Sequence, residues 1–189
     1  MAEPLGLTLP DRKLTIYEPP TLKKSNVDGN LLIDSVIIRG SNTGDGRFWH
    51  FTIHFVGPEG VSLRLNPSPS YTDMTCPMRC ILTAEYVEKV DDYAGDGVEP
   101  FQVPVKPGTT LRAICHELLD KHKMDEYIFS DQGQGCRHWC ATAIDHLADK
   151  DFVDRSASSL YNDYEEAQAQ IHGSKFPMPR VRGTFYAAT

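Results

Sequence analysis

No apolar run in the 189 residues approaches the ~20 that cross a bilayer, so a membrane-spanning helix is not expected. Met1-Ala2-Glu3-Pro4-Leu5-Gly6 carries no basic stretch ahead of an apolar one, and Ala187-Ala188-Thr189 forms no lipidation box. Neither a secretory leader nor a lipid anchor is expected, and the expected compartment is the cytoplasm. Basic residues are also short, with 19 Lys and Arg against 26 Asp and Glu, for a net charge of -7. That balance argues against nucleic acid or an anionic membrane as a partner, because both demand clustered cations. Cysteine is sparse and odd in number: Cys76, Cys80, Cys115, Cys136 and Cys140. Such a count fits free thiols in a reducing compartment rather than a disulfide framework. No internal repeat or low-complexity segment occurs. What remains is an ordinary composition for one folded domain, 40% hydrophobic and 24% charged.

Residues 1–30, rich in Pro and polar side chains, read as an extended arm, and residues 31–189 as the domain proper. A β-branched run over residues 31–38 predicts a buried strand ending at Gly40, followed by a loop over residues 41–46. Residues 48–56 alternate: Trp49, Phe51, Ile53 and Phe55 share one face, with His50, Thr52 and His54 on the other. After the turn Gly57-Pro58-Glu59-Gly60, residues 61–66 alternate again, so the two segments predict a hairpin. Further strands are expected over residues 80–87 and 101–105, with a solvated acidic loop between them. Thr109 or Thr110 can cap a helix carrying Leu111, Ile114, Cys115, Leu118 and Leu119 on one face. A second helix starts near Cys136. Its apolar residues Cys136, Trp139, Cys140, Ala143, Ile144 and Leu147 form a single stripe. A third, weaker helix spans about residues 160–171, where Glu165 and Glu166 are expected to face solvent, and residues 176–186 read as an extended tail. The fold class is α+β, an antiparallel sheet packed against the helix that carries Cys136.

The position of Cys136 has chemical weight. A helix start presents unsatisfied N–H groups and partial positive charge, which stabilise a thiolate and can hold an oxyanion. Gly133 and Gly135 before it allow a substrate close to the backbone. The base should be a histidine on a neighbouring element, and His50 stands on the strongest strand. If Phe55 pairs with Val61, His50 falls opposite Asn66 and His54 opposite Ser62. An asparagine there can fix the ring's tautomer as third member of a Cys136–His50–Asn66 set.

Gly135-Cys136-Arg137-His138-Trp139-Cys140 resembles the Asn-Cys-Glu/Gln-His-Phe box of the permuted papain-fold proteins. These include the lecithin retinol acyltransferase group, the related phospholipase/acyltransferases and the PPPDE isopeptidases. His50-Phe51-Thr52-Ile53-His54-Phe55 resembles the His-Trp-Ala-Ile-Tyr strand of those families, where the histidine hairpin also precedes the cysteine helix. The resemblance implies a permuted papain-like fold, Cys136 as nucleophile and His50 as base. For the third polar residue it leaves two positions, Asn66 by strand pairing and Arg64 by counting back from Pro67. Gly135 stands where those families carry Asn. The substrate it implies is a small-molecule or peptide acyl group, hydrolysed or transferred through a Cys136 thioester. Arg64, His54, Gly135 and Trp139 are the candidate substrate contacts. No resident cofactor or metal is expected and no oligomeric state is assigned. Two other readings stay open. One is a non-catalytic papain-like binding module. The other is a zinc-stabilised interaction domain using the two Cys-x-x-x-Cys pairs, Cys76/Cys80 and Cys136/Cys140.

Overall fold

Alternating aromatic and β-branched residues in the middle of the chain build the sheet on which everything else rests. A computed structural model describes residues 15–17, 31–42, 49–87 and 98–186. Most of the predicted arm, the loop over residues 43–48 and the acidic loop over residues 88–97 lie outside the described residues. The strands are β1 (Thr15–Tyr17), β2 (Ser35–Asn42), β3 (Trp49–Val56), β4 (Ser62–Pro69), β5 (Cys80–Val87) and β6 (Phe101–Pro104). They order as β1-β5-β4-β3-β2-β6. Five of them are antiparallel, and β1 adds in parallel beside β5.

Cross-strand register gives the sheet two unlike faces. Val36 and Ile38, Phe51, Ile53 and Phe55, Leu63 and Leu65, and Phe101 and Val103 share one side. All of these are buried. Arg39, Thr52, His54 and Arg64 stand on the other side, where buried Thr52 and His54 meet cross-strand arginines. The hairpin differs from expectation in register. Phe55 pairs with Leu63 rather than Val61, and His54 therefore faces Arg64 rather than Ser62. The turn explains the shift: Glu59 and Gly60 both adopt positive φ in a short 3-10 turn over Pro58–Gly60, which lengthens the connection by two residues. A slip of two keeps every side chain on its predicted face. β2 also runs past Gly40 to Asn42, where a loop was expected, because Ser41 and Asn42 keep pairing with His50 and Trp49.

Three helices cover the apolar face and its edge. Thr110 caps α1 (Leu111–Cys115), its hydroxyl accepting from the Ala113 N–H at 3.2 Å. A π-helical stretch over His116–Lys121 carries the same buried stripe onward through Leu118 and Leu119. α2 (Cys136–Asp149) packs on β3 and α3 through Trp139, Cys140, Ala143, Ile144 and Leu147, all at or near zero exposure. Each large side chain so buried contributes about 1.5–3 kcal/mol. α3 (Ala157–His172) begins three residues earlier than the periodicity suggested. The tail folds back, and β8 (Thr184–Phe185) pairs with β7 (Tyr127–Ile128) in a second, two-stranded sheet. Among the described residues, no helix is long and apolar enough to cross a membrane.

Candidate active site

The β3–β4 ladder ends at Ile53↔Leu65, and both strands continue beyond it without pairing to each other. The start of α2 meets β3 in that gap. The Cys136 sulfur lies 3.9 Å from the Trp49 carbonyl and accepts a hydrogen bond from the Phe51 N–H. The His50 ring is its side-chain partner. His50 Nε2 in turn sits 2.5 Å from the Asn66 amide oxygen, which accepts its N–H and leaves Nδ1 for the sulfur. The sequence-predicted trio thus meets in one place. The route differs from the predicted one, since Asn66 reaches His50 from beyond the last ladder pair.

The pKa shifts of the Cys136 thiol and the His50 ring run in opposite directions. Burial pushes the Cys136 thiol up, but the His50 hydrogen bond and charge, the Phe51 N–H and the Arg137 guanidinium together bring it below the ordinary thiol value. Burial pulls the His50 ring down, yet the Cys136 sulfur and the Asn66 oxygen raise it above the ordinary histidine value. These directions favour a thiolate–imidazolium pair. The other thiols with resolved shifts go the opposite way: burial lifts Cys80 to about 12 and Cys115 to about 11, and Cys140 also rises.

Gly135 sets the helix start. Its φ of 144° suits glycine, and a Cβ there would stand 2.6 Å from the Tyr127 hydroxyl. That hydroxyl donates to the Gly135 carbonyl at 2.9 Å and accepts from the Gly183 N–H at 2.8 Å, tying loop, helix and tail together. With no side-chain cap, the first N–H groups of α2 face the same space as the thiol.

A cleft of about 610 Å³ opens over the sulfur, walled by Trp49, Tyr71, Gln132, Gln134, Lys175 and Phe176. His50, Asn66, Gly135 and Arg137 also line it. Three expected contacts do not. Trp139 is fully buried, its indole N–H donating to the Met124 carbonyl at 2.6 Å, because it belongs to the stripe beneath the site. His54 is buried farther along β3, across from Arg64, and Arg64 pairs with Glu85. Asn66, not Arg64, is the side chain that bonds to the His50 ring. The two Cys-x-x-x-Cys pairs do not converge, and among the described residues no group of three or more potential ligands could hold a metal.

Arg137 and Glu165 were missed in the sequence. Glu165 was expected in solvent but is wholly buried, between Arg137 at 3.6 Å and Arg180 at 3.0 Å. The signal was present: Ala157, Tyr161, Glu165 and Gln168 form one helical stripe, all buried. Arg137 stacks on the Phe176 ring at 4.1 Å and donates to the Pro177 carbonyl, so it holds the tail wall of the cleft beside the thiol.

The family model described as a domain of unknown function (DUF7770) matches residues 36–186. The chain belongs to this family. The DUF7770 match starts in β2 and runs past β8, so it takes in β3, β4, α2 and the tail, and with them the whole cleft. No curated protein and no solved structure matches this DUF7770 chain.

Proposed function

We propose that this DUF7770 domain is a cysteine-dependent hydrolase or acyltransferase that works through a thioester on Cys136. The observation that carries the reading is the His50 ring held between the Cys136 sulfur and the Asn66 oxygen, with thiol and imidazole shifted toward their charged forms. The thiolate attacks the carbonyl carbon of an amide, ester or thioester, forming a C–S bond. The developing oxyanion is held by N–H groups at the start of α2, where no side-chain cap competes. Collapse breaks the bond to the leaving group, which takes a proton from the His50 imidazolium. Water or a second nucleophile then gives its proton to His50, attacks the thioester and releases the acyl group, restoring the thiol. Asn66 keeps the ring turned toward sulfur throughout.

A permuted papain-like arrangement accommodates this chemistry, since the histidine hairpin β3–β4 precedes the cysteine helix α2. All five cysteines are free, in keeping with a reducing, cytoplasmic setting. The walls of the cleft offer amides, aromatic rings and cations, which suit a polar acyl group of a small molecule or peptide.

Iodoacetamide labelling followed by mass spectrometry tests the reading. Cys136 should label well below the pH at which an ordinary thiol reacts, and fastest among the five cysteines. An ordinary thiol profile at Cys136 would leave only a binding cleft. For the full reaction, a thiolate–imidazolium pair persists between the lowered thiol value and the raised imidazole value. Acyl transfer should therefore rise through the first and fall through the second.

A further inference from the structure

Charge is distributed unevenly around the cleft over Cys136. Acidic residues outnumber basic ones in the chain, 26 to 19, yet no Asp or Glu lines this wall. Apart from His50, the basic side chains that do are Arg137 and Lys175. An ionised Cys136–His50 pair carries no net charge. Arg137 is committed elsewhere: it faces Glu165 at 3.6 Å, stacks on Phe176 and donates to the Pro177 carbonyl. Lys175 differs. It stands exposed on the 3-10 turn Gly173–Lys175 that follows α3, and no side chain among the described residues pairs with it. A wall whose uncommitted charge is positive, with no carboxylate beside it, favours an anionic ligand.

Next to Lys175 the wall turns apolar. Phe176 is buried, and the half-buried Trp49 ring stands 5.9 Å from it between centroids. Such rings hold an apolar group by buried area and by stacking. Gln132 and Gln134, in the loop ahead of α2, bring amides that both donate and accept. One ammonium with neutral amide donors balances the single charge of a carboxylate, whereas a phosphate dianion would be left half-neutralised. About 610 Å³ admits a body of dipeptide size beside the sulfur.

We propose that the cleft takes an acyl compound carrying a carboxylate, paired with Lys175, and an apolar group held against Trp49 and Phe176. The acyl character rests on the thioester reading of Cys136; the carboxylate and the apolar group rest on the walls alone.

Protection of Cys136 from iodoacetamide, read by mass spectrometry on the intact chain in low-salt buffer at pH 7, tests it. The probes are N-acetylphenylalanine, its neutral amide and N-acetylglycine. N-acetylphenylalanine should halve the labelling rate at about fivefold lower concentration than its amide, the upper worth of an exposed charge pair. N-acetylglycine, which lacks the ring, should need at least about tenfold more. In Lys175→Gln, at an exposed position, acid and amide should protect alike, and in Lys175→Glu the amide should become the better protector. Equal protection by acid and amide in the native chain would overturn the proposal. So would an acid preference that survives in Lys175→Gln, equal protection by N-acetylglycine, or no protection by any probe at millimolar concentration. Labelling without a probe judges the thioester reading separately. An ordinary thiol profile with acid-selective protection would remove the chemistry and keep the carboxylate site; a lowered profile without selectivity would do the reverse.

Discussion

His50 and His54 lie four residues apart on one strand and take opposite electrostatic states. Both rings are removed from water, a change that lowers a histidine's pKa whatever its neighbours. His50 nevertheless rises, because a sulfur that becomes anionic and an amide oxygen stand against it. His54 falls to about 3, since burial is reinforced by the charges of Arg64 and Arg39. On this strand the partner's sign, more than depth, decides which histidine can act as a base near neutral pH.

The comparison breaks most sharply if the two histidines are removed in turn. His50→Ala should slow Cys136 labelling at pH 6 by about 100-fold, the loss expected when a thiol returns to its ordinary range. His54→Gln should leave that rate within a factor of about two, since its ring neither touches Cys136 nor lines the cleft. Equal losses in the two variants would erase the distinction. His54 should instead show itself in stability. Its folded value lies below the ordinary 6.5, so the unfolded chain gains a proton first as pH falls through 6.5, and stability drops from there toward about 3. Urea unfolding at pH 6.5 and pH 5 should differ by about 1.5 kcal/mol more in the native chain than in His54→Gln.

A milder change sharpens the His50 side. Asn66→Ala should reduce labelling at pH 6 by about tenfold or less, the worth of one hydrogen bond to a charged ring. Loss approaching that of His50→Ala would mean Asn66 does more than orient. The smallest effect is expected from Arg39→Met, which removes one of two charges beside His54. Its ring should titrate at higher pH by NMR while the His50 titration stays in place.

What could be read from the chain depended on how local the governing pattern was. The stripe on α2 and the alternation on β3 are local, and both could be read from the residues. The hairpin register is set by positive φ at Glu59 and Gly60, which the residue names alone did not fix, so Phe55 was matched to Val61 instead of Leu63. Asn66 was named through that wrong register and meets His50 diagonally, because a shift of two preserves the face. Glu165 was lost for a different reason. Its partners Arg137 and Arg180 come from segments far away in sequence, and a carboxylate on a helix reads as solvated until such partners are known. Trp139 was offered to substrate because it neighbours Cys136 in sequence, yet on a helix it turns inward toward Met124.

The Tyr127 hydroxyl, gripping Gly135 on one side and Gly183 on the other, also has a bearing on biosynthesis. Synthesis runs from the N-terminus, so Cys136 is joined to the chain before Phe176, Pro177 and Gly183 exist. Until that later segment docks through Tyr127, the nascent chain carries its thiol without one wall of the cleft. The order of translation itself thereby withholds a finished pocket until the tail has been made.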